Sequence, residues 1–498
     1  MSKTFDPIAT KALDLMENST KSLFLTGKAG TGKSTLINHF IETTQKNILV
    51  LAPTGVAAVN IGGTTIHSFF GLHPGITLEE VKDGEYGMSA PKWKILEKLD
   101  AIVIDEVSMV RADMMQMIHH ILQDVYTDEE AFWGKQMILV WDLYQLPPIV
   151  RDEEKAYFRE VFGHQYFFAP GCYELLGVTT IELQRMYRQE DAGFKKILNK
   201  IRLGLQSQED LDVLNKTVAK ADDLEWVIHL MTTNADAAMI NKQKLMQLET
   251  DECRAFSTID GEVPPSMFMN DNTLVFKPGA QVMMLVNGLE YRNGSIGTLI
   301  SRDEDDEVAK IEINGEIVEV EAHTWNIRKP KYNEKEKKIT NEVVGSFTQL
   351  PFKLARAITI HKSQGLTFDR LVIDFGKRVF ATGQAYVALS RVTSLEWLTM
   401  IRPLKMHDVM CETKVRERMM EEMQEEREEM IAHAIKKKQV LTCSYMNYRN
   451  QVEELSFTPS KVSEVQKQGI WFRGVELVDN QGEERLLNAQ RMFELGLS

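Results

Sequence analysis

Long apolar runs are missing from this chain. No stretch approaches the length needed to cross a bilayer, and the opening residues MSKTFDPIAT hold no apolar core of the kind a secretory leader needs. The expectation is a cytoplasmic or nucleoid-associated protein with no membrane partner. Cysteine is scarce as well. Cys172, Cys253, Cys411 and Cys443 lie far apart and never in a Cys-x-x-Cys spacing, which argues against a zinc site or a disulfide framework. Positive charge is in deficit, with a net charge of -14. That balance is unusual for a nucleic-acid binder. A groove needs only local positive charge, however, and much of the acid falls in residues 303–307 and 421–429. Nucleic acid therefore stays among the partners.

A chain of 498 residues is too long for one ordinary core and suggests three or four domains. Within it, residues 27–34 read Gly-Lys-Ala-Gly-Thr-Gly-Lys-Ser, directly after the apolar run 22–25. Leu36-Ile37-Asn38-His39-Phe40 continues as a helix. Strand, glycine-rich loop and helix together form the context of a phosphate-binding P-loop. The backbone N–H groups around Gly27, Gly30, Thr31 and Gly32 curl about a polyphosphate, and the helix N-terminus adds partial positive charge. Lys33 is expected to reach the β- and γ-phosphates, and Ser34, followed by Thr35, to place its hydroxyl on Mg²⁺. The cofactors expected are ATP and Mg²⁺.

Residues 101–106 are apolar until they end in Asp105 and Glu106, as a buried parallel strand does at the edge where α/β folds bind ligands. Asp105 reads as a Mg²⁺ carboxylate and Glu106 as the base that deprotonates water. Residues 136–140 form a second such strand, followed by Asp142-Leu143-Tyr144-Gln145-Leu146-Pro147-Pro148. Gln145 could contact the γ-phosphate there, or be a plain loop residue. Phosphoryl transfer also needs cations, for which Arg188 and Arg391 are the candidates. Both lie far downstream, so their use would put ATP in a cleft between two lobes.

The order of these strings resembles the PIF family of superfamily 1B DNA helicases. GKAGTGKST is followed by APTGVAAVNIGGTTIHSFF at 52–70, VIDEVSMV at 103–110 and DLYQLPP at 142–148. YRQ follows at 187–189, TIHKSQGLTFD at 359–369 and AYVALSRVTS at 385–394. The likeness spans about residues 5–405. It implies two RecA-like P-loop lobes in an α/β protein; alternating strands between 282 and 320 read as a small inserted β-barrel, and strands after 440 as a small C-terminal β-rich module. It further implies a motor that walks 5′ to 3′ on single-stranded DNA and unwinds forked or structured DNA as a monomer, in repair, recombination or genome maintenance. Gly365 would join the nucleotide site. Thr54, Asn60, Thr65, His67, Thr359, His361 and Ser363 are short polar groups past strand ends, able to hold DNA phosphates without reading sequence. Phe69, Phe70 and His73 either stack on bases or, for the phenylalanines, fill the lobe core. A DNA-stimulated translocase without unwinding and a silent DNA-binding protein are the rival functions.

By this reading residues 1–165 form the first lobe, with a short wedge insertion near 71–95. Residues 166–269 and 350–411 form the second lobe, 270–349 the inserted barrel, 412–439 a linker helix docked on the second lobe, and 440–498 the module. The basic stretch 328–338 is either a solvated loop or a DNA clamp. The module resembles a WYL-type domain through Tyr445, Trp471, Arg473 and Arg491, of which Trp471 and Arg473 are expected on DNA. Four positions depart from the family. Ala9 stands where an adenine-contacting Gln is expected, and Arg356 where Trp is common. Trp141 and Trp397 occupy glycine positions. Either the gene uses UGA codons for glycine there, or the tryptophans are native and the ATPase is slow or dead.

Overall fold

A strand buried on both faces must be apolar at every position, and this accounts for the runs read above. Leu23–Gly27 and Gln136–Val140 are buried throughout, and Ala101–Asp105 is buried up to its final acid. In the computed structural model the described residues are 5–73, 75–124, 131–189, 191–219, 227–303, 308–447, 452–467, 470–479 and 482–497. The three strands enter one six-stranded parallel sheet, ordered Thr64–Thr65, Ile48–Ala52, Ala101–Asp105, Gln136–Val140, Leu23–Gly27, Thr179–Leu183. Leu23, Leu25, Leu36, Phe40, Val103 and Ile138 meet in its core. Asp6 caps the first helix, Pro7–Asn18, by accepting the Ala9 N–H at 2.8 Å. The last strand corrects the boundary expected at 165. Thr179–Leu183 pairs with Leu23–Gly27, so the first lobe extends past residue 180.

The second lobe carries a four-stranded parallel sheet, ordered Ala357–Thr359, Ile228–Met231, Leu371–Asp374, Leu398–Met400. The β insertion starts earlier and ends later than the expected 270–349. Cys253–Phe256 already pairs with Thr273–Phe276, and Phe352–Leu354 closes the five-stranded antiparallel sheet against Gln281–Met284. Ala255, Phe276, Val282, Leu299, Ile311 and Phe352 share its core.

The basic stretch at 328–338 is not a loop. It lies in a hairpin of His323–Asn333 and Lys338–Gln349, paired to Thr258–Gly261. Its tip rests on the first lobe: Asn47 accepts the Ile339 N–H at 2.9 Å, and Lys94 pairs with Glu334. Lys329 and Lys331 bond Glu262 (2.6 Å) and Glu342 (2.8 Å), so two of the lysines that a DNA clamp would use face carboxylates.

Residues 199–208 and 411–498 form a separate compact unit. The expected single linker helix is two helices, Thr413–Glu422 and Gln424–Lys437, broken at Met423. Ile431 and Ala434 are buried in the core of the β module itself, with Leu441, Phe457, Val475 and Leu487. The module is a five-stranded antiparallel sheet, ordered Glu484–Asn488, Ile470–Asp479, Val452–Lys467, Leu441–Met446, Met492–Leu497. Among the described residues no helix is long and apolar enough to cross a membrane.

Candidate functional site

Parallel strands bring their carboxyl ends to one edge of a sheet, so Gly27, Asp105 and Val140 emerge side by side. The glycine loop turns there. Gly30 has φ +78°, and a Cβ on it would stand 2.5 Å from the Arg188 Cβ, so only glycine admits that arginine so close. The helix Lys33–Thr43 follows. The Lys33 ammonium is buried, donating to the Gly27 carbonyl at 2.6 Å and the Lys28 carbonyl at 3.0 Å. It is held by the loop that an incoming phosphate would occupy.

A cleft of about 870 Å³ opens on this loop. Gly30, Thr31, Gly32, Lys33, Ser34 and Thr35 line one side, with Gln145, Arg188, Gly365 and Arg391 among the other lining groups. The cations expected from distant parts of the chain are thus in one cleft with the P-loop. Gly27 is not a lining residue. It lies beneath the loop, where an added Cβ would meet Leu183 O at 2.7 Å. Phe5, Asp6 and Ala9 line the cleft too, which places the Ala9 methyl where a base-contacting amide was sought.

Arg391 is 1% exposed. Its guanidinium donates to the carbonyls of Val387 (2.8 Å), Ser363 (3.3 Å) and Leu366 (3.3 Å) and to Ser390 Oγ (2.8 Å). Arg188 donates to Ser390 O at 3.1 Å and Gly365 O at 3.3 Å. Neither makes an ion pair among the described residues. Burial and then the neighbouring Arg188 charge press the Arg391 pKa down to about 9. A buried guanidinium beside a second, half-buried one, with neither ion-paired among the described residues, is costly unless an anion joins them. Gln145 is 5% exposed, and its Oε1 is buried with no hydrogen-bond partner among the described residues. An acceptor of this kind can hold a water molecule.

Asp105 and Glu106 stand at the strand end without lining the cleft directly. Glu106 has φ +53°, a strained conformation for a glutamate that such sites commonly retain. Desolvation raises Asp105 to about 6, against the opposing pull of the Glu106 N–H and Lys33. Desolvation and then the Asp105 charge raise Glu106 to about 8. The pair titrates together. A base works only when ionised, so kcat/KM for ATP is expected to climb with pH between about 6 and 8 and then level, since that ratio reports the free enzyme. A flat profile over that range would remove the pair from the rate.

The residues expected on DNA divide into two groups. Thr54 and Thr65 are helix caps, accepting the N–H of Ala57 at 3.2 Å and of Ser68 at 3.1 Å. Asn60 is exposed, and His67 and His361 are half-buried with pKa values lowered by desolvation, so both stay neutral donors near pH 7. The rest are withdrawn from solvent. Phe69 is 1% exposed and packs edge-on against Phe70, which corrects the base-stacking expectation: both rings fill the lobe core. Ser363 is fully buried with its hydroxyl on Ile360 O at 2.8 Å, and Thr359 is 3% exposed. Short polar side chains next to strand ends bond to the backbone as readily as to a ligand. In the C-terminal unit Arg473 faces Glu428 (3.5 Å) and Glu464 (3.9 Å), Tyr445 is buried, and Arg491 donates to the Met446 and Asn447 carbonyls. The side chain of Trp471 lies outside the described residues.

Of the two tryptophans at glycine positions, only Trp141 lines the cleft. It is 7% exposed, and its indole N–H has no partner among the described residues. Trp397 is half-exposed beneath the Arg370 guanidinium, so it does not distort the cleft as expected. Sequence reading missed three lining or neighbouring groups: Arg292, from the β insertion; Tyr187, whose ring is 3.8 Å from where a Gly32 Cβ would lie; and Tyr386. Tyr187 and Tyr386 stand inside the YRQ and AYVALSRVTS strings, but nothing local marks their contacts, which cross large sequence separations, and Arg292 lies in none of the strings.

A PIF1-like helicase family model matches residues 3–212, and a second model, described as a helicase, matches 349–432. The chain is 32% identical over 406 residues to the ATP-dependent DNA helicase Pif1 of Bdellovibrio bacteriovorus, covering 79% of this chain and 87% of that one. It also resembles the crystal structure of Bacteroides sp Pif1 in complex with ADP-AlF4, at 33% identity and TM-score 0.76, over 83% of this chain and 96% of that one. Bacteroides Pif1 bound to ssDNA is similar at 32% identity and TM-score 0.60, over 85% and 98% of the two chains.

Proposed function

The chain belongs to the PIF1-like helicase family and is an ATP-dependent DNA helicase, and from that premise we propose that it moves 5′ to 3′ on single-stranded DNA and opens forks or structured duplex in chromosomal maintenance. The observation that carries this reading is the cleft in which Lys33, Arg188 and Arg391 converge on one glycine loop, both arginines bonding carbonyls and neither ion-paired among the described residues. A triphosphate supplies the missing negative charge. Lys33 and the loop amides hold its phosphates, Arg188 and Arg391 stabilise the charge that develops on transfer, and Gln145 orients the attacking water. Glu106 takes that water's proton.

Ser34 and Asp105 offer one hydroxyl and one carboxylate, the sparse set of hard oxygens that Mg²⁺ takes alongside phosphates and water. No larger cluster of metal-ligating side chains occurs among the described residues. When bound, the ion would neutralise phosphate charge. DNA phosphates fall to the accessible groups Thr54, Asn60, His67 and His361, acting on one molecule per strand. The C-terminal module, read as WYL-type, adds little to the grip on DNA, since Arg473, Tyr445 and Arg491 are engaged within it. Phosphate release with and without single-stranded DNA tests the enzyme reading. Strong DNA stimulation is the expected result, and no phosphate release with or without DNA would leave a DNA-binding protein only.

Trp141 and Trp397 are read as UGA codons for glycine; any other codon at either position ends that reading. If the tryptophans are native instead, the indole at 141, in the phosphate cleft with its buried N–H unpartnered among the described residues, slows the enzyme. Trp141→Gly is expected to raise kcat/KM for ATP about tenfold, about 1.4 kcal/mol, within the range for one buried unsatisfied donor. A fall instead would show that the indole is used.

A further inference from the structure

Tyr386 contributes a buried hydroxyl to the cleft region that the chemistry above does not use. It lies in the helix Gln384–Leu389 and is 3% exposed. Its Oη accepts the N–H of Ala29, in the glycine loop, at 2.9 Å. The same hydroxyl donates to Asp142 Oδ2 at 3.1 Å. Asp142 is fully buried and opens the loop that carries Gln145: its main-chain carbonyl accepts the Gln145 N–H at 3.0 Å.

A second contact joins the same segments. Gly383 heads the helix with φ +73°, and a Cβ there would stand 2.4 Å from Gln145 O and 2.7 Å from Tyr144 O. The helix start therefore lies directly on the backbone of the Gln145 loop, a closeness that only glycine allows. At the other end, Ser390 O accepts from Arg188 and from Gln189, each at 3.1 Å. One short helix thus touches the glycine loop, the Asp142–Gln145 loop and the arginine segment.

We propose that Tyr386 is a positioning residue for ATP turnover: its hydroxyl ties the glycine loop to Asp142 and so fixes where Gln145 and Arg391 stand when the phosphoryl group transfers. The proposal rests on the helicase reading and adds to it the coupling of nucleotide state to the second lobe. A hydroxyl between an N–H and a carboxylate uses its single proton fully, and the bond to the charged oxygen is the stronger one. Any shift of the glycine loop on phosphate binding moves Ala29, and Tyr386 passes that shift to both Asp142 and its own helix.

Tyr386→Phe in the full chain keeps the ring and removes this one atom. The DNA-stimulated kcat is expected to fall about tenfold while KM for ATP moves far less. The ATP consumed per base pair unwound is expected to rise, a readout that a merely structural role would leave alone. Melting temperature is followed in parallel. Asp142→Asn removes the charged acceptor independently, and the two changes are expected to be non-additive in kcat, the double variant no slower than the slower single. Parental kcat and parental ATP per base pair in Tyr386→Phe would overturn the proposal, as would additive losses or a rise confined to KM. A parent chain that hydrolyses ATP but unwinds nothing overturns the helicase reading instead, and the kcat comparison still decides the role of Tyr386.

Discussion

Lys33→Ala abolishes ATP turnover and leaves single-strand affinity nearly unchanged. Lys33 is buried at the glycine loop, where its ammonium donates to the Gly27 and Lys28 carbonyls. None of the accessible residues assigned to DNA lies on that loop. Removing a cation aimed at the transferring group costs at least about a hundredfold in rate by analogy with the loss of one transition-state donor. The loss also leaves the Gly27 and Lys28 carbonyls without this donor, a stability cost of about 1–3 kcal/mol. Turnover, DNA affinity and melting temperature are therefore measured on one preparation. Equal losses of turnover and DNA affinity at an intact melting temperature would place Lys33 on the DNA path, contrary to its geometry.

Glu106→Gln is expected to bind ATP normally and hydrolyse it at least about a hundredfold more slowly, the low end for losing a general base. Glutamine preserves shape at a position with φ +53°, so the strained turn survives. It also mimics the protonated acid. Because Glu106 is raised to about 8, the parent itself carries more protonated acid as pH falls, and the gap between parent and variant should narrow toward pH 6 and widen toward pH 9. A constant ratio across that span would assign the proton transfer to another group. Near-parental turnover at pH 9 would remove Glu106 from the reaction altogether.

What was legible in the sequence had a local cause. Apolar runs became buried parallel strands because burial on both faces permits nothing else, and the glycine string became the loop because only glycine tolerates its positive φ and its close neighbours. The arginines were legible through their surrounding strings. What failed depended on tertiary context. Thr179–Leu183 alternates like an exposed strand, yet it pairs along Leu23–Gly27 and moves the lobe boundary. Phe69 and Ser363 look like contacts for a ligand until packing puts both out of reach. The lysines at 329 and 331 look like a clamp until the hairpin brings Glu342 diagonally across to Lys331 and the residue after the neighbouring strand, Glu262, reaches Lys329. Tyr386 is the extreme case, since the N–H it accepts lies 357 residues away.

The central claim is that ATP turnover in this cleft drives directional strand separation. The most direct measurement is strand release from two duplexes that are identical except for a single-stranded tail at the 5′ end or at the 3′ end, with ATP and Mg²⁺ present. Release from the 5′-tailed duplex alone is expected, and it is lost in Lys33→Ala. Release from the 3′-tailed duplex, or DNA-stimulated hydrolysis with no release from either, would contradict the claim.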